Sequence, residues 1–207
     1  LAALEASGQL ENTLVVFTSD QGYAWGQHGF RAKLAPYDAN IRSPLIVSMP
    51  GTLPEGKVCP TPVGGADIAP TLLSFAGLDQ PWPMHGHDLT PLLKDPAMAW
   101  PYPVLMPFTA DQFGADCDVV PAPPKNRHKS GVPWYLMLVE GRHKYIRTLD
   151  VGEPEELYDL LADPDELTNL ARKTEHRERL LKMREATLDE LKRTGAKMVD
   201  SLPEVGE

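Results

Sequence analysis

The run Leu14 to Asp20 (LVVFTSD) constrains the fold more than any other stretch of the chain. Its β-branched and aromatic residues are continuous rather than alternating. That is the pattern of a strand buried on both faces, and such strands belong mainly to parallel sheets with helices on either side. A second run of the same kind, Pro44 to Met49 (PLIVSM), is closed by Pro50-Gly51. Residues 64–78 (GGADIAPTLLSFAGL) then read as a helix ending at Gly77, and Leu1 to Ala6 as a helix stopped by Gly8. Strand, loop, strand and helix in alternation predict an α/β fold: part of a mixed, mainly parallel sheet flanked by helices.

The second half reads differently. Val104 to Thr109 is a short strand. Residues 134–149 (WYLMLVEGRHKYIRTL) form a hairpin turning near Glu140-Gly141-Arg142, and Glu156 to Leu160 is a further strand. Thr174 to Thr194 is an amphipathic helix with Leu181, Leu188 and Leu191 on one side. Strands followed by a helix predict a small carboxy-terminal antiparallel α+β subdomain. The expected segmentation is therefore 1–110 for the α/β part, 111–133 for a polar, Pro-rich loop or insertion, and 134–207 for the subdomain.

Composition narrows the partners. With a formal net charge of -9 over 207 residues, the surface disfavours nucleic acid and anionic membrane. A local cationic pocket for an anionic substrate is still compatible, because screening acts over roughly 8–10 Å. No apolar run approaches the roughly 20 residues of a membrane helix. Cys59 and Cys117 match no zinc spacing, and one bridge or two buried thiols both remain open. The chain opens without Met on a segment that reads as the end of a helix, as expected of a fragment or a processed product, so the lack of a signal peptide carries no information on localisation.

The residues with chemical potential gather at the end of the first strand. Asp20 and Gln21 lie where ligands bind in open α/β sheets, beyond the carboxyl ends of the strands. Carboxylate and amide oxygens are hard ligands, suited to calcium or magnesium. Gly22 permits a sharp turn after them. Lys33, thirteen residues beyond Asp20, adds a cation to the same loop, and His28, between Gly26 and Gly29, adds a titratable group. A divalent ion and a lysine together can hold an oxyanion. Each residue also has a plainer reading: a turn at Asp20-Gln21-Gly22, a structural histidine, a surface lysine, and Arg42 as an ion-pair partner that fixes the loop.

The order of these motifs resembles the type I sulfatases of the alkaline phosphatase superfamily. The resemblance rests on Ser19-Asp20-Gln21-Gly22, on Gly26-Gln27-His28-Gly29, on Lys33, and on Arg42-Ser43-Pro44-Leu45-Ile46 through Pro50-Gly51. It continues through Asp67-Ile68-Ala69-Pro70-Thr71-Leu72-Leu73 and Ala76-Gly77-Leu78. It ends with Glu156-Leu157-Tyr158-Asp159-Leu160, Asp163-Pro164 and Asn169-Leu170-Ala171. The resemblance implies a sulfuric ester hydrolase in which Asp20 and Gln21 are calcium ligands, Lys33 contacts the sulfate, and His28 lies near the pocket. It also implies a sulfated glycan or small molecule as substrate and an exported or lysosomal location.

The family's formylglycine nucleophile arises from Cys-X-Pro-Ser-Arg, which neither Cys59-Pro60-Thr61-Pro62 nor Cys117-Asp118-Val119 matches. The nucleophile and the upstream metal ligands are therefore expected before Leu1. Calcium takes about six to eight oxygens, of which Asp20 and Gln21 supply about three at most, so these residues alone are expected to bind it weakly and to hydrolyse nothing. The missing amino-terminal part or a second copy of the chain is the expected protein partner. Two further functions stay open: a phosphodiester or phosphonate monoester hydrolase of the same superfamily, and a non-catalytic fragment binding glycan through Trp82, His85, His87 and Trp100.

Overall fold

The structure is a computed structural model that describes residues 1–206. In chain order its main elements are helix α1 (Ala2–Ala6), strands β1 (Val15–Thr18), β2 (Ala24–Trp25) and β3 (Arg31–Ala32), helix α2 (Asp38–Ile41) and strand β4 (Leu45–Ser48). Helices α3 (Ile68–Phe75) and α4 (Thr90–Lys94) follow, then strands β5 (Val104–Phe108), β6 (Tyr135–Glu140), β7 (His143–Thr148) and β8 (Glu156–Asp159), and helix α5 (Arg177–Arg193). The fold is mixed α/β. It divides into two compact units, one of residues 1–21 and 43–102, the other of residues 22–42 and 103–207. This differs from the segmentation expected from sequence: the 22–42 segment leaves the first unit, and β5 belongs to the second.

In the first unit β1 and β4 pair antiparallel, with Val15 opposite Ser48 and Thr18 opposite Leu45. The parallel pairing expected here is not found among the described residues. A continuous apolar run reports a strand's burial and not its direction. Leu14, Val16, Leu45 and Val47 line a small apolar cavity with Ile68 and Leu72 of α3, which places α3 over one face of the pair. On the other face Phe17 and its partner Ile46 are 61% and 60% exposed, against the expectation of burial on both faces.

The entry to α3 is tied to the loop before α4 by Asp67. Its carboxylate accepts the backbone N–H of Gly64 at 2.8 Å and of His87 at 2.7 Å. Thr71 Oγ1 donates to the Asp67 carbonyl at 2.6 Å and accepts the N–H of Leu89 at 2.9 Å. Gly86 is required by proximity, since a Cβ there would stand 2.0 Å from the carbonyl oxygen of Ala66. His87 stacks on Tyr102 with centroids 3.8 Å apart, and Trp100 meets Tyr102 edge-on. His87, on the loop before α4, and Trp100, beyond that helix, both read above as part of a possible glycan surface, pack with Tyr102 in one aromatic cluster.

In the second unit the strand order is β5-β6-β7-β8 and every ladder is antiparallel. Tyr135 to Val139 are all buried because β6 is covered on both faces. Leu138, Tyr145 and Leu157 meet Leu180 and Met183 of α5, while Leu136 meets Leu191 of that helix. Burying each such side chain contributes about 1.5–3 kcal/mol. The stripe of α5 that does this is Leu180, Met183, Thr187 and Leu191. Leu181, expected on the buried side, is 43% exposed. At 100° per residue it lies off the stripe that Met183 and Thr187 complete. On the opposite face Tyr135, Met137, Ile146 and Tyr158 pack against Phe30, Leu34, Tyr37 and Ile41 of the 22–42 segment.

Cys59 is exposed and Cys117 partly buried, and both are free thiols, so neither the bridge nor the pair of buried thiols is present. No helix among the described residues is long and apolar enough to cross a membrane.

Candidate functional site

Asp20 and Gln21 follow β1 directly, in the first unit. Asp20 is exposed, and its Oδ1 accepts the N–H of Gln21 at 2.8 Å, a local turn that fixes the carboxylate against its own backbone. Ser19 Oγ donates to the Gln21 carbonyl at 3.4 Å. The next residue, Gly22, begins the second unit. A Cβ there would lie 2.5 Å from the carbonyl oxygen of Ala39, so only glycine fits. The donor set fits a hard cation in kind, with one carboxylate and one amide, but not in number. No group of three or more His, Cys, Asp or Glu that could hold a metal ion occurs among the described residues.

His28 and Lys33 lie in the second unit, on the segment that covers its sheet. Lys33 stands between Ala32 and Leu34, whose φ values of 67° and 91° are left-handed and without glycine's freedom. Such conformations cost about 1–3 kcal/mol each and persist only where surrounding contacts over-determine them. Those contacts are visible on both sides of the lysine. Asn40, fully buried, donates its Nδ2–H to the carbonyl of Ala32 at 2.8 Å, and Tyr135 donates its O–H to the carbonyl of Leu34 at 2.9 Å.

A buried ion triad holds the next turn. Lys144, with no exposed surface, contacts Asp38 Oδ1 and lies 2.7 Å from Glu166 Oε1. Glu166 Oε2 accepts the Asp38 N–H at 2.6 Å. Burial pushes the Glu166 carboxyl above its ordinary range and Lys144 pulls it down; the net shift is upward, so desolvation wins. Tyr37 donates to Glu156 at 3.1 Å, and burial raises its pKa well above the ordinary tyrosine value, as does the neighbouring Glu156. The sequence reading missed Asn40, Tyr135, Lys144 and Glu166. Strand β7 (HKYIRT) mixes His, Lys and Arg with Tyr and Ile, so no local pattern marks Lys144 as the buried member.

His28 is held on two sides. Its ring stacks on Tyr37 with centroids 3.8 Å apart and an interplanar angle of 2°, and its Nε2 lies 2.9 Å from the carbonyl oxygen of Asp165. A carbonyl only accepts, so Nε2 carries the proton. Arg42 is a weak tether: its Nη1 is 4.0 Å from Asp38 Oδ2 and its side chain is 78% exposed.

Comparison with known proteins identifies the class to which this geometry belongs. Residues 26–107 match the sequence family described as N-sulphoglucosamine sulphohydrolase, C-terminal. An arylsulfatase of Clostridium perfringens is 31% identical over 194 residues, covering 92% of this chain and 36% of the relative. The solved structure of a protein in complex with its substrate D-glucosamine-2-N,6-O-disulfate matches with a TM-score of 0.71 at 27% identity, over 95% of this chain and 38% of that one. The phosphonate monoester hydrolase of Agrobacterium radiobacter matches with a TM-score of 0.68 at 26% identity, over 93% and 37%. The chain belongs to the type I sulfatase family and corresponds to its carboxy-terminal portion. It spans about a third of the length of the curated relatives it matches.

Proposed function

We propose that the whole protein hydrolyses sulfate esters, with a sulfated carbohydrate or an aryl sulfate as substrate. The observation that carries this reading is the match to an arylsulfatase along 92% of the chain, which includes the strand-end Asp20-Gln21 pair and the clamped Lys33. Asp20 and Gln21 are the calcium ligands contributed by this chain. Calcium, when bound, polarises the sulfate oxygens. Lys33 places its ammonium against the anionic ester and neutralises charge that grows on oxygen as the ester bond breaks. His28 supports the loop through Tyr37. The formylglycine nucleophile and the remaining metal ligands belong to the part of the protein that precedes these residues. There β1 and β4 join a larger, mainly parallel sheet, and elements packed on its other face cover Phe17 and Ile46. The protein is exported or lysosomal, as its family resemblance implies.

A second reading, phosphonate monoester hydrolysis, is favoured by the similarity to the Agrobacterium radiobacter hydrolase. A sulfate ester and a phosphonate ester present similar tetrahedral oxyanions to a metal and a lysine. The test is hydrolysis of 4-nitrophenyl sulfate and 4-nitrophenyl phenylphosphonate by the whole protein. A higher kcat/KM for the sulfate, abolished by a calcium chelator and lowered but still measurable in Lys33→Ala, is the expected result. A preference for the phosphonate selects the second reading, and no turnover of either ester overturns both.

A further inference from the structure

Outside glycine, five described residues have positive φ: His28 (51°), Ala32 (67°), Leu34 (91°), Ala110 (53°) and Glu166 (56°). Four of the five belong to one assembly in the second unit. His28 stacks on Tyr37, Glu166 meets Lys144 and the Asp38 backbone, and Ala32 and Leu34 bracket Lys33. Strain of this kind is a sign that a local geometry is being held for a purpose other than stability. At Lys33 the purpose has a visible object. The peptide carbonyls of the residues on either side are each gripped by a side chain from elsewhere, Asn40 Nδ2 at 2.8 Å and Tyr135 Oη at 2.9 Å. The Tyr135 ring does not depend on its hydroxyl for packing. It stacks on Phe108 with centroids 5.1 Å apart and lies in the core of the sheet face.

We infer that Tyr135 and Asn40 are positioning residues that set the direction in which the Lys33 side chain leaves the backbone, and so aim its ammonium at the anionic group of the substrate. This rests on the reading of Lys33 given above. A lysine is a flexible four-carbon stem with a point charge at its tip. Fixing the root of that stem removes part of the freedom it would otherwise lose when the transition state forms, and rates respond steeply to small misplacements. The buried triad of Asp38, Lys144 and Glu166 anchors the segment one turn further on, so the grip at Lys33 works against a fixed base.

The test is a double-mutant cycle in the whole protein, assayed with whichever nitrophenyl ester it turns over. Tyr135→Phe removes the grip on Leu34 and keeps the ring. The expected result is a fall in kcat on the order of 10- to 100-fold with KM little changed. In a Lys33→Ala background Tyr135→Phe has no further effect on kcat, because a group that acts through Lys33 has nothing left to aim. A purely structural tyrosine would lower the rate by the same factor in both backgrounds, and that outcome, or a wild-type kcat for Tyr135→Phe, overturns the inference. If Lys33→Ala itself leaves the rate unchanged, the role of Lys33 falls first and the cycle reports that separately. Asn40→Ala takes the place of Tyr135→Phe in the same cycle, with the same two outcomes, if the tyrosine variant does not fold.

Discussion

Replacing Lys144 by methionine tests whether the buried triad holds the 22–42 segment onto its sheet. Methionine keeps the length and apolar stem of the side chain and removes only the charge and its donors. In the native arrangement Lys144 is wholly buried, and its ammonium faces Asp38 and a Glu166 side chain that is 2% exposed. Without it the buried Glu166 carboxylate retains only the Asp38 N–H at 2.6 Å and faces the partly exposed Asp38 carboxylate with no cation between them. Removing one partner of a buried ion pair costs about 3–5 kcal/mol.

The cost falls on the segment's attachment, so it appears as local opening. At about 1.4 kcal/mol per decade, the amide of Asp38 exchanges hydrogen roughly two to three and a half decades faster in Lys144→Met than in the native protein. The defect also depends on pH. A Glu166 carboxyl raised further by loss of Lys144 binds its proton more readily folded than unfolded, so attachment weakens as pH rises through the folded pKa and recovers as pH falls. Native-state hydrogen exchange at pH 5 and pH 8 measures both effects. Unchanged Asp38 protection, or a defect greater at pH 5 than at pH 8, would refute the assignment of the triad as the anchor.

Two further perturbations test other parts of the fold. Gly86→Ala forces a Cβ against the Ala66 carbonyl, so the Asp67 junction must shift; the expected loss is about 1–3 kcal/mol in chemical denaturation, and an unchanged midpoint would contradict the close approach. At the β6–β7 turn, hydrogen bonds from Arg142 hold the Asp159 carboxyl below its usual range. A depressed folded pKa stabilises at pH above the unfolded value and is lost as pH falls through the folded one. Thermal unfolding of Arg142→Ala should therefore differ from the native protein more at pH 5 than at pH 3, and a difference that widens at pH 3 would oppose this.

How much of this was legible in the sequence depends on how far apart the interacting residues lie. The strands from Val15, Leu45, Val104, Tyr135, His143 and Glu156, and the helix from Arg177, all fall where hydrophobic patterning placed them, because each pattern is local. Strand direction was not legible: β1 and β4 are apolar enough for a parallel sheet yet meet antiparallel. The loop from Gly22 to Asn40 looked like one continuous site because its residues are contiguous. Its architecture comes instead from Tyr135, Lys144 and Glu166, more than 100 positions away, which no periodicity in the loop can report. Asp20 and Lys33 were singled out by motif order alone. The strained backbone beside Lys33 left no trace in Ala-Lys-Leu, three residues that ordinarily favour helix.

The division of the chain has a consequence for anyone who would take the protein apart. Residues 22–42 leave the first unit beside Thr18 and return beside Leu45, two residues paired across the same ladder, and spend the interval completing the core of the second. A cut after Tyr102, the natural place to separate the halves by sequence, would strip Phe30, Leu34, Tyr37 and Ile41 of the sheet they pack on and leave that sheet's face bare. The first product would keep its own unit whole and carry the 22–42 segment unsupported, and the second would lack part of its core. The two units are modular in space but interleaved along the chain, so they must be made, and inherited, together.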